Sequence, residues 1–111
     1  MNIFLVYVRD ENYYRLLPER LNKTRTSSGR VKMMAFPPLG IQVLAPVLRQ
    51  HGYQVRMFDM CHPEMQAEHI AQAAAAEKPD VIVLSFLSTT TYPTTKDLAR
   101  RLKSAAPNIP I

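Results

Sequence analysis

Hydrophobic positions along the chain switch repeatedly between two periods. Residues 2–8 form a near-continuous apolar run, Ile-Phe-Leu-Val-Tyr-Val after Asn2, and read as a buried strand. No period is sustained over residues 9–35, apart from a short helical piece at 13–21 broken by Pro18 and a flexible stretch at 24–30. Leu39, Val43, Leu44, Val47 and Leu48 then fall on one helical face. Pro38 suits the first helical turn, Pro46 should kink the helix, and Gly52 sits where helices end. Residues 53–59 read as a second strand. His62-Pro63-Glu64 opens a second helix with Ala67, Ile70, Ala73 and Ala74 facing in, and Lys78-Pro79-Asp80 stops it. Val81-Ile82-Val83-Leu84 is the most apolar run and reads as a central strand covered on both faces. A polar hinge at 85–91 leads to a third helix from Pro93, with Leu98, Ala99, Leu102 and Ala105 inward. Residues 109–111 look like the start of a fourth strand.

Strands alternating with helices imply right-handed crossovers and a parallel sheet. The expected fold class is therefore α/β, a Rossmann-like (flavodoxin-like) three-layer arrangement truncated at the start of strand four. In such sheets ligands bind beyond the carboxyl ends of the strands. Three segments reach that edge: Arg9 onward, residues 59–62 and residues 85–91.

Composition narrows the class. The chain has 111 residues, 47% hydrophobic and 21% charged, which fits one small domain. No apolar run approaches the roughly 20 residues that span a bilayer. The first residues lack the pattern of a signal peptide, so the cytoplasm is the expected location. The single cysteine, Cys61, cannot form an internal disulfide and cannot alone hold an iron–sulfur cluster or a cysteine-only zinc site. Net charge is +5, and residues 9–32 carry seven basic and three acidic side chains. That bias reads as a solvated or domain-covered insertion. Nucleic-acid binding there is disfavoured, because no groove-reading motif accompanies it. Absence of G-x-G-x-x-G and Walker A patterns argues against dinucleotide and nucleoside triphosphate sites.

Two stretches carry candidate chemistry. Ser85, Ser88, Thr89, Thr90 and Thr91 present five hydroxyls just after a buried strand. One hydroxyl suffices to cap a helix, so the run points to ligand contact, with a phosphate, an amide or a ring nitrogen as the target. Asp59, Met60, Cys61 and His62 set a carboxylate, a thiol and an imidazole at the end of strand two. Helix capping is the commoner use of such a carboxylate, and a closed metal site needs more ligands. His51 and His69 read as surface residues. Met33, Met34, Met57, Met60 and Met65 read as core fillers. A phospho-receiver reading fails on order, since Asp59 follows the second strand and not the third.

The segments Pro37-Pro38-Leu39-Gly40-Ile41, Leu44-Ala45, Val47-Leu48, His51-Gly52-Tyr53-Gln54-Val55 and Asp59 come in order. They are followed by Lys78-Pro79-Asp80-Val81-Ile82, Ser85-Phe86-Leu87, Tyr92-Pro93 and the closing Ala106-Pro107-Asn108-Ile109-Pro110-Ile111. In that order and spacing, residues 36–111 resemble the N-terminal cobalamin (B12)-binding domain of B12-dependent radical SAM proteins; residues 9–35 match nothing in it. The resemblance implies a fold that holds cobalamin across the carboxyl edge of the sheet. Ser85 and Leu87 take the Ser-x-Leu positions beside the dimethylbenzimidazole tail, and Ser88, Thr89 and Thr90 extend that contact. The Asp59 loop stands for the Asp-x-His-x-x-Gly loop, with Cys61 at the ligand position, His62 one residue late and no glycine after it. That departure implies base-off, His-off binding. A three-cysteine radical SAM motif and a Gly-Gly segment are missing, so a 4Fe-4S cluster and SAM belong only to a longer chain, and the module is not catalytic alone. The competing expectation is a cofactor-free, receiver-like or partner-docking α/β module.

Overall fold

The computed structural model describes residues 1–10, 38–62 and 64–111. The helical piece at 13–21, the stretch at 24–30, most of the basic insertion, Met33, Met34, Pro37 and Pro63 lie outside the described residues. Within them the order is β1 (Asn2–Tyr7), α1 (Leu39–Gln50), β2 (Gln54–Asp59), α2 (Ala67–Glu77), β3 (Val81–Ser85), a 3-10 turn (Thr89–Thr91) and α3 (Tyr92–Ala105). The three strands are parallel and lie in the order β2-β1-β3.

This order places β1 in the middle, so the expectation for β3 is corrected. Among the described strands β3 is at the edge, and Val83 in its centre is 36% exposed. Four consecutive residues of β1, Ile3 to Val6, are buried instead. The run at 81–84 has the same composition as a central strand, so periodicity alone cannot tell the two apart. Residues 109–111 form no assigned strand, but the Ile82 N–H donates to the Pro110 carbonyl at 2.9 Å. The outer side of β3 therefore begins to pair there.

The step from β1 to β2 runs one way across the sheet, and the step from β2 to β3 runs back past β1. Right-handed crossovers then put α1 on one face and α2 with α3 on the other. Side-chain parity agrees. Ile3 and Leu5 pack with Ile41 and Ala45 of α1. Phe4, Val6 and Val8 pack with Ile70, Ala74, Leu98 and Leu102 of α2 and α3. The α2/α3 face is the thicker core.

The helices differ from expectation at their edges and in facing. α1 buries Ile41 and Ala45 and half-buries Leu48, while Leu39, Val43, Leu44 and Val47 are exposed. It runs unbroken through Pro46, which faces solvent. α2 starts at Ala67 and not at His62: Gln66 and His69 form a reciprocal capping box there, with the Gln66 N–H donating to His69 Nδ1 at 3.2 Å. That pair does the work of the usual Ser/Glu box, and a turn fills the gap from β2. α3 buries Leu98 and Leu102 as expected, but its last apolar contact is Ala106, and Ala105 is exposed. No helix among the described residues is long and apolar enough to cross a membrane.

Candidate cofactor site at the carboxyl edge of the sheet

The chain leaves β1 toward α1 on one face and leaves β3 toward α3 on the other. The crevice between the carboxyl ends of β1 and β3 is therefore the switch point of this sheet, where open α/β folds place their ligands. Asp10, the residues after Ser85 and the start of α1 surround it. The second strand is one position further out, beyond β1.

Ser85 closes β3 and pairs with Tyr7. Its parity sets it on the α1 face together with Val83 and Val81, which pair with Leu5 and Ile3. The Ser85 Oγ approaches α1 at Gly40, where a Cβ would lie 3.9 Å from it. Among the described residues this hydroxyl has no hydrogen-bond partner.

From that contact downward, α1 lies over β1 and β2, and β3 runs past it in the opposite direction. Four helical residues advance about 6 Å, and two strand residues about 6.6 Å. Leu44 therefore descends to the level of Val83, and Val47 to that of Val81. Leu44, Val47 and Val83 are all substantially exposed. Beside α1 this leaves an apolar groove open to solvent, about 13 Å long on the strand side, with the Ser85 hydroxyl at its mouth. Sequence reasoning missed Gly40, Leu44, Val47 and Val83 as site residues. One signal was available: a glycine in the first turn of a helix whose apolar positions exceed what one buried face needs.

The hydroxyl run is used differently from residue to residue. The Ser88 hydroxyl donates to Asp10 Oδ2 at 3.0 Å and lies 2.7 Å from the Thr90 hydroxyl. Thr90 also donates to Asp10 Oδ2. The Thr91 Oγ1 lies 3.2 Å from Ser88 Oγ, and Thr91 is buried. None of these side chains caps a helix; together they tie the β3–α3 turn to the end of β1. Leu87 is 70% exposed, Phe86 42%, and Thr89 is exposed as well.

The second expected stretch is built as a turn. The Asp59 carboxylate accepts the Cys61 N–H at 2.9 Å, and the His62 N–H donates to the Asp59 carbonyl at 3.1 Å. His62 is exposed, and its Nδ1 faces the Glu64 N–H at 3.4 Å. Cys61 is a half-buried free thiol. The Met60 side chain is 6% exposed and belongs to the core under α2. With β1 between them, Asp59 and Ser85 are two inter-strand spacings apart, about 10 Å. The structure thus brings Ser85, Ser88, Thr90 and Asp10 to one crevice and leaves residues 59–62 on its far side. Among the described residues no group of three or more His, Cys, Asp or Glu side chains could hold a metal ion.

A parallel sheet with a switch-point crevice, a hydroxyl-bearing turn and an apolar groove below it defines a ligand-binding α/β module. Residues 34–111 match the family model of the B12 binding domain, and the chain belongs to that family, whose fold is the flavodoxin-like Rossmann type. The match supports cobalamin as the ligand. No curated protein and no solved structure matches the chain.

Proposed function

We propose that this chain binds cobalamin base-off, with the nucleotide tail in the groove between α1 and β3 and the corrin over the switch-point crevice. The groove carries the reading. An exposed valine in mid-strand and two exposed aliphatic residues on the facing helix are costly in water. A flat aromatic base with one acceptor nitrogen suits aliphatic walls with one unpartnered hydroxyl at the mouth. The donor set fits the tail and, among the described residues, supplies no protein ligand for cobalt beside it.

In this arrangement Ser85 hydrogen-bonds the base nitrogen. Leu44, Val47, Val81 and Val83 exclude water from its faces. Leu87, Ser88, Thr89 and Thr90 line the upper rim; Asp10 fixes Ser88 and Thr90, leaving Thr89 and Leu87 outward. Asp59, Met60, Cys61 and His62 shape the far side of the crevice through the turn they build, with Met60 acting from the core. His-off binding is consistent with a His62 whose Nδ1 is turned to Glu64. Bound cobalamin supplies a cobalt centre that carries an alkyl group or an electron; the chain's own work is to hold it and keep its lower face free of imidazole.

Titrating the chain with hydroxocobalamin tests this. The expected result is saturable binding with a visible spectrum of the base-off form. A base-on spectrum at saturation contradicts the placement of the tail, and no binding removes the proposal. We further propose that a radical SAM domain is the catalytic partner in cis, with 4Fe-4S and SAM bound there. The likeness of residues 36–111 supports this. Coding sequence beyond codon 111 tests it: a Cys-x-x-x-Cys-x-x-Cys motif agrees, and its absence in an open continuation contradicts it.

A further inference from the structure

We propose that the α1–β3 groove selects the lower base of the corrinoid, with Leu44 and Val83 as specificity-determining residues that favour a benzimidazole over a purine. This rests on the placement of the tail given above.

By helical spacing Leu44 and Val47 lie on the Gly40 side of α1, and by strand parity Val81 and Val83 lie on the α1 face of β3, Val81 partly packed in the core. Ser85 supplies one hydroxyl, at the mouth. On the side toward β1 the backbone of β3 is paired, and on its outer side the Ile82 N–H is bonded to Pro110. A dimethylbenzimidazole lowered into this slot brings one acceptor nitrogen besides the one bonded to its sugar, and Ser85 can donate to it. Its two methyl groups meet aliphatic walls. An adenine base brings an exocyclic amine and two further ring nitrogens. Level with Leu44 and Val83 the side chains of the described residues offer those groups no hydrogen bond, and an unsatisfied buried polar group is penalised. The discrimination is of the strong kind, since it turns on an unpaired polar group and not on an added methylene.

Equilibrium dialysis of the whole chain tests this, with retained corrinoid read by absorbance. The probes are hydroxocobalamin, its counterpart with adenine as lower base, and tail-less aquacobinamide. The expected result is about ten- to hundredfold tighter binding of hydroxocobalamin than of the adenine form, with aquacobinamide also weaker than hydroxocobalamin. In Val83→Thr, which keeps the shape and adds a hydroxyl, the ratio between the two bases should narrow; an unchanged ratio removes Val83 from the role. Equal affinity for the two bases overturns the inference and leaves the cofactor reading standing. Aquacobinamide binding as tightly as hydroxocobalamin puts the base outside the groove and overturns it as well. If none of the three binds, the cofactor reading itself falls.

Discussion

Two replacements of Gly40 separate stability from binding, a small one acting on the helix and a large one on the groove. Gly40 lies in the first turn of α1, and its backbone is not in the left-handed region. Among the described residues a Cβ there meets only the Ser85 Oγ, at 3.9 Å, an ordinary contact distance. Gly40→Ala therefore removes the entropic penalty of a helical glycine without a clash. At an end turn this is worth about 0.5 kcal/mol. For a domain of this size that corresponds to a melting temperature higher by about 2–4 °C. The added side chain, however, points at the mouth of the groove. Gly40→Leu extends further, across the path of the nucleotide tail, and should weaken hydroxocobalamin binding by about tenfold or more, equivalent to ~1.4 kcal/mol. Circular dichroism melts and absorbance titrations on both variants make the comparison. A lower melting temperature for Gly40→Ala would show that α1 packs against Ser85 more closely than described. Undiminished cobalamin affinity in Gly40→Leu would show that nothing passes between Gly40 and Ser85, and the groove would lose its assignment.

Other parts of the molecule yield further expectations. Leu102→Ala empties a fully buried position beneath the sheet and should cost about 2–5 kcal/mol; with the thin margin of a domain this small, a melt should show most of the protein unfolded near body temperature. Asp10→Asn weakens the acceptor shared by Ser88 and Thr90. Amide exchange at Thr91, whose N–H bonds to the Ser88 carbonyl, should speed up by about tenfold, and unchanged exchange would show that the turn holds without the carboxylate. Arg56→Ala removes an ion pair to Glu77 and a guanidinium 4.9 Å from the centre of the Phe58 ring. The Arg56 and Glu77 side chains are half exposed, so denaturant unfolding should report a loss of about 1 kcal/mol or less.

Much of the fold was legible because strand and helix periods alternate cleanly and each helix carries a stop. Gly52 at φ +83 and Lys78 at φ +46 end α1 and α2 where the chain suggested. The facing of α1 was not legible. Leu39, Val43, Leu44, Ile41, Ala45, Val47 and Leu48 cover well over half its circumference, so a single apolar stripe cannot be picked from spacing. The choice of Ile41 and Ala45 as the buried pair depends on which side the sheet lies. The same ambiguity hid the groove, whose helical wall is the apolar surface left over. At the second helix Pro63 and Glu64 imitate a start signal, while the capping pair actually used, Gln66 with His69, is built from residues with weak capping preference. The hydroxyl run was visible as unusual, but its division of labour was not. Ser88 and Thr90 turn to Asp10, a residue 78 and 80 positions away in sequence, and such a partner follows only from knowing that β1 and β3 are neighbours.

Intermolecular nuclear Overhauser effects in the complex of the chain with cobalamin, with the methyl groups of Leu and Val labelled, bear most directly on where the cofactor sits. Contacts from the aromatic protons of the lower base to Leu44 and Val83, with none to Leu98 or Leu102, are the predicted result. Contacts confined to the α2/α3 face, or a base that meets no methyl of the protein, would contradict a tail lodged between the first helix and the third strand.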